Sequence, residues 1–133
     1  MYLPLPTLVT CLALILYFVA TARVSLARIR YKIAAPATTG HAMFERTYRV
    51  QQNTLEQLVL FLPAFWLFVT RVSPLWGSVL GALWLIGRVV YMVSYERNPD
   101  SRGPGFILAS VASVTLLIGS LVAAIAMLAQ PMA

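Results

Sequence analysis

Four apolar stretches, Leu5 to Val24, Thr54 to Val72, Trp76 to Tyr95 and Phe106 to Leu128, occupy most of this 133-residue chain. Each is close to the ~20 residues that cross the hydrocarbon core of a bilayer. In hydrocarbon the backbone amides and carbonyls must pair within their own segment, which a helix accomplishes. The pattern predicts an all-α integral membrane protein: one domain over residues 1–133, a four-helix bundle with helices over about 5–24, 45–72, 76–96 and 106–128. Composition excludes a water-soluble domain, with 60% hydrophobic residues, 11% charged and a mean hydropathy of +0.81. The first stretch has no basic segment before it and exceeds the about 7 to 15 apolar residues of a signal peptide, so it is read as a membrane helix. A bundle this small buries limited surface alone, and oligomerisation is expected on that ground.

The net charge of +6 is unevenly placed. Arg23, Arg28, Arg30, Lys32 and Arg46 surround the first connection and Arg97 and Arg102 occupy the third, whereas the second has only Arg71. Basic connections stay in the cytoplasm, so loops 25–44 and 96–105 are expected there, with both termini outside. These charges flank membrane helices instead of forming a basic domain, which argues against nucleic acid and for membrane lipid or an anionic substrate. Cys11, alone in the first apolar stretch, is read as an inert small hydrophobe, and His41 as a solvated loop residue. No cluster has metal-ligand spacing, so no metal is expected.

Polar residues inside the apolar pattern narrow the chemistry. The second helix is expected to begin near Met43 to Glu45, ahead of its apolar run. At about 100° per residue, Arg46, Arg49, Asn53 and Glu56 then fall within roughly 80° of arc, with Gln51 nearly opposite. Arg88, Tyr91 and Tyr95 form a second stripe within about 60° on the third helix. An ionisable group in a membrane helix costs about 2.5 to 3.5 kcal/mol at the helix centre, so these stripes need a ligand or partners. Interfacial anchoring of the tyrosines and a structural pairing of Arg88 with Glu56 or Glu45 are the readings that need no ligand. Pro63 should bend the second helix, and Trp66, Trp76 and Trp84 are read as packing or lipid-facing residues.

The segment Phe44-Glu45-Arg46-Thr47-Tyr48-Arg49-Val50-Gln51-Gln52-Asn53-Thr54-Leu55-Glu56 resembles the MAPEG family, the membrane-associated proteins of eicosanoid and glutathione metabolism. Ala35-Pro36-Ala37-Thr38-Thr39-Gly40 before it and Gly87-Arg88-Val89-Val90-Tyr91-Met92-Val93-Ser94-Tyr95 after it are similar to the corresponding stretches of microsomal glutathione transferases and leukotriene-forming synthases. The resemblance implies a homotrimer that binds glutathione between subunits at the cytoplasmic side. It implies glutathione contacts from Arg49, Asn53, Glu56, Tyr91 and Tyr95 of one subunit, and from Arg28 and Gln51 of its neighbour. Arg102 is similar in position to the arginine that stabilises the glutathione thiolate in leukotriene-forming members. Two departures, Gln57 in place of a tyrosine and Ile29 in place of a second arginine, argue against leukotriene synthesis itself.

The residue chemistry agrees with that implication. Arg28, Arg49 and Arg88 can donate charge-assisted bonds to the two carboxylates of glutathione, Glu56 can receive its ammonium, and Asn53 or Gln51 its peptide groups. The function expected is a membrane-bound glutathione transferase with glutathione as co-substrate, attacking a lipophilic electrophile; peroxidase activity on a lipid hydroperoxide would use the same thiolate. Two other readings remain: a non-catalytic lipid-binding or scaffolding protein of the same fold, and a small exporter using Glu56 for proton coupling. The arginines beside Glu56 argue against the exporter. The chain carries no lysine-rich retrieval tail, which favours a bacterial inner membrane over the endoplasmic reticulum.

Overall fold

The computed structural model describes residues 3–129. Four helices alternate in direction: α1 (Pro4–Tyr31), α2 (Ala42–Arg71), α3 (Pro74–Arg97) and α4 (Gly103–Leu128), with a single 3-10 turn, Pro99–Arg102, leading into α4. All four are long and apolar enough to span a membrane. Large apolar side chains cover the outside of the bundle, Phe18 and Val59 among them, as expected where the solvent is hydrocarbon. The protein is an integral membrane four-helix bundle.

Every helix exceeds its apolar run at the basic end, because hydropathy marks the part in hydrocarbon and not the turns that continue beyond it. The largest correction concerns α1, which extends past Val24 to Tyr31 and places Arg28 and Arg30 on its last turn instead of in a loop. Cations at a helix C-terminus complement its dipole and favour this extension. Lys32 ends the helix in the left-handed conformation, with φ 56°, and the Ile33 amide returns to the Arg28 carbonyl at 3.0 Å. The expected loop 25–44 is thus reduced to residues 32–41.

α2 begins at Ala42, near the position its polar segment predicts. His41 is its N-cap, exposed but not free in the loop: Nδ1 accepts from the Met43 amide at 3.2 Å and the ring stacks on Tyr31 at 3.9 Å. Glu45 supports the same end by accepting from the Gly40 amide at 3.0 Å. α2 is continuous through Pro63, whose side is exposed. Cys11 faces outward on α1, at the apolar outside of the bundle.

The core lies between α2, α3 and α4. Phe61 and Trp84 stack at 4.1 Å with a 6° interplanar angle, and Phe65 and Leu116 fill the space around them. α3 and α4 approach most closely where glycines remove the side chains: a Cβ on Gly87 would stand 2.7 Å from the Ala109 amide nitrogen, and one on Gly105 2.7 Å from the Gly87 carbonyl. This contact brings Tyr91 and Phe106 together, with ring centroids 6.3 Å apart.

Candidate functional site

At the basic end a cavity of about 710 Å³ opens between α2, α3 and the start of α4. That volume lies within the roughly 300 to 1,000 Å³ of small-molecule sites. Arg49, Asn53, Glu56 and Gln57 reach it from α2, Tyr91 and Tyr95 from α3, Arg102 from the 3-10 turn and Phe106 from α4. Six of the residues singled out in the sequence therefore share one cleft: Arg49, Asn53, Glu56, Tyr91, Tyr95 and Arg102.

Helical spacing sets the α2 wall. Arg49 and Glu56, two turns apart, form an ion pair at 3.2 Å, with about half of each side chain exposed. Asn53, between them, donates Nδ2 to the other Glu56 oxygen at 3.2 Å. On the facing wall Tyr91 and Tyr95 stack at 5.5 Å, and the Arg102 guanidinium lies 5.7 Å from the Tyr95 ring centroid. An exposed pair such as Arg49 and Glu56 contributes little to stability, so both groups can exchange partners for a ligand at small cost.

Arg88 differs from its expected role as a direct ligand group. It is 1% exposed and is absent from the cavity wall. Its Nη1 donates to Asn53 Oδ1 at 2.9 Å, its Nη2 to Thr54 Oγ1 at 2.8 Å, and its guanidinium carbon sits 4.2 Å over the Tyr91 ring. The pairing with Glu56 or Glu45 that the sequence suggested is replaced by neutral acceptors and an aromatic face. Thr54, unremarked in the sequence, qualifies because a buried guanidinium needs acceptors on the facing helix.

Other expected contacts also lie elsewhere in this chain. Arg46 leaves its stripe and donates to the Glu96 carbonyl at 3.3 Å. Arg28 donates to the Ala37 carbonyl at 2.7 Å and covers the Phe44 ring at 4.9 Å. Gln51 donates to the Tyr17 hydroxyl at 3.0 Å, on the far side of α2 from the cavity. Gln57 does line the cavity, with its carbonyl oxygen buried and without a hydrogen-bond partner among the described residues. Phe106 carried no sequence signal, since its place depends on the α3–α4 contact. Among the described residues no group of His, Cys, Asp and Glu could hold a metal ion.

Two arginines, a carboxylate, two carboxamides and stacked tyrosines thus share one cleft at one end of an apolar bundle. The MAPEG family model matches residues 6–122. The chain belongs to the MAPEG family. Among its MAPEG relatives, an uncharacterized protein of Synechocystis is 45% identical over 94% of this chain and 91% of its own length. Mouse microsomal glutathione S-transferase 2 is 38% identical over 71% of this chain and 64% of its own, so just under two thirds of that relative is matched. Bovine leukotriene C4 synthase is 32% identical over 92% of this chain and 79% of its own. In this MAPEG member the cavity offers donors for carboxylates, an acceptor for an ammonium and a cation, Arg102, at its rim.

Proposed function

We propose that the protein is a membrane glutathione transferase, with the cavity as its glutathione site. The observation that carries this reading is the convergence of Arg49, Asn53, Glu56, Tyr91, Tyr95 and Arg102 on one cleft. Glutathione has two carboxylates, an ammonium and a thiol. Arg49 pairs with a carboxylate, Glu56 receives the ammonium and Asn53 bonds a peptide group. Arg102 stands beside the sulfur and favours the thiolate over the thiol, by the rule that an opposite charge stabilises the ionised form.

The bound thiolate then forms a carbon–sulfur bond to a lipophilic electrophile, and the electron pair of the broken bond leaves with the departing group. The electrophile arrives from the bilayer, beside Phe106 and the outer surface of α4. A lipid hydroperoxide is the other substrate class this thiolate would serve. The protein supplies positioning and charge, and glutathione the nucleophile.

Arg28 and Gln51 enter this reading through oligomerisation. Both lie away from the cavity of their own chain. In a homotrimer they act from the neighbouring subunit, on the glutathione bound next door. The basic end then faces the cytoplasm, in a bacterial inner membrane, as the placement of Lys and Arg beside the first and third connections favours.

The test is an ultraviolet difference titration of the purified protein in detergent with glutathione, against Arg102→Ala. A saturable thiolate absorbance that the variant lacks supports the reading. No signal, together with no heat of binding by calorimetry, rejects it in favour of a lipid-binding protein.

A further inference from the structure

We infer that Glu96, outside the cavity, is a positioning residue: with Arg23 and Arg46 it anchors the last turn of α3 and thereby sets where Tyr95 and Arg102 stand. Glu96 is largely buried, its side chain 13% exposed, and it makes an ion pair with Arg23 of α1. Its backbone carbonyl accepts from Arg46 of α2. Two cations from two different helices thus converge on one residue of a third. A carboxylate held this far from water keeps its place only if a partner compensates it, and Arg23 is that partner.

What the anchor holds is the part of the chain that carries the site. Tyr95, its immediate neighbour, lines the cavity. Beyond Arg97 the helix ends, and the 3-10 turn with Arg102 is tied back to it by Ser101, whose hydroxyl donates to the Ser94 carbonyl at 3.1 Å and to the Asn98 carbonyl at 2.7 Å. Asn98 closes the same turn by accepting from the Asp100 amide at 3.1 Å. The position of Arg102 is therefore referred to the end of α3, and the end of α3 to α1 and α2 through Glu96. Helix ends fray first, and Glu96 lies one residue before the end of α3.

This inference rests on the glutathione reading above. The experiment compares the wild type with Glu96→Ala and with the charge exchange Arg23→Glu/Glu96→Arg, all in detergent. The pH dependence of thiolate absorbance is measured, together with the affinity for S-hexylglutathione, which has no ionisable thiol. In Glu96→Ala the bound thiol pKa rises by about one unit, as the arginine charge retreats from the sulfur. S-Hexylglutathione affinity falls less than about threefold, because Arg49, Asn53 and Glu56 stay on α2. The charge exchange restores at least half of the shift.

A thiol pKa unchanged in a folded Glu96→Ala protein overturns the inference, even if its melting temperature falls, since that would be a purely structural role. A shift that the exchange does not restore overturns the pairing with Arg23. A wild type without any thiolate signal overturns this inference; if S-hexylglutathione also fails to bind, the glutathione reading falls with it.

Discussion

Arg88 donates to the Asn53 carbonyl oxygen at 2.9 Å, and the same carboxamide donates its nitrogen to Glu56 at 3.2 Å. The buried cation therefore decides which way the Asn53 amide points. With the oxygen turned toward Arg88, only the nitrogen faces Glu56, and Glu56 is held with its outer oxygen on Arg49.

Replacing Arg88 with Met should consequently act on the site through Asn53. Two charge-assisted bonds worth about 1.5 to 3 kcal/mol each in typical cases are lost, less the burial cost of the cation that is also removed. The expected net destabilisation is about 2 kcal/mol, with glutathione KM raised roughly tenfold and kcat within about threefold. Thermal melting in detergent and steady-state kinetics check the two parts separately.

Glu56→Gln removes the acceptor proposed for the glutathione ammonium. Glutathione affinity should fall by about 2 kcal/mol, roughly 30-fold, as for a lost charge-assisted bond. Glutathione lacking its amino group should bind wild type and variant equally, within about twofold. Calorimetry on the four combinations decides it; an equal loss for both ligands would remove Glu56 from this role.

The pH dependence follows from the sign of the thiol shift. A free thiol has a pKa of about 8.5, and on the proposed reading Arg102 holds the bound thiol below it. Below the bound pKa glutathione is protonated in both states and its affinity is flat with pH. Between the bound and free values binding releases a proton, so affinity rises with pH, by up to about tenfold per unit; above about 8.5 it is flat again. In Arg102→Ala this rising window should close, with the residual affinity retained. Calorimetric titration across pH 5 to about 9 in buffers of different ionisation heat measures it.

Gly105→Ala tests the helix contact that places Tyr91 against Phe106. The added Cβ would meet the Tyr91 amide nitrogen and stand 2.7 Å from the Gly87 carbonyl, both backbone atoms that cannot step aside. Separating the helices should cost about 1 to 3 kcal/mol and lower glutathione affinity through Tyr91. Gly103→Ala, with nothing within 4 Å of its Cβ, is the control and should leave the melting temperature unchanged.

Much of this protein is legible along its sequence. The four spans follow from hydropathy, because crossing hydrocarbon is a demand each segment meets alone. The α2 wall of the cavity follows from helical periodicity, since Arg49, Asn53 and Glu56 need only share a face of one helix. The same periodicity misplaces Arg46, which shares that face and yet bonds to the end of α3. Its side chain is long enough for the choice to rest with its neighbours.

The sequence by itself determined that the chain spans a membrane, the four helices, the family and the polar stripes. Only the tertiary structure decided that Arg88 stands behind Asn53 instead of in the cleft, that Phe106 completes the cavity, and that Glu96 gathers Arg23 and Arg46. The physical reason is locality. Span length and face are properties of one helix read at a fixed angle per residue. The partner of a buried charge depends on which atoms other helices bring within about 3 Å, and that is set by how closely the helices pack at their glycines.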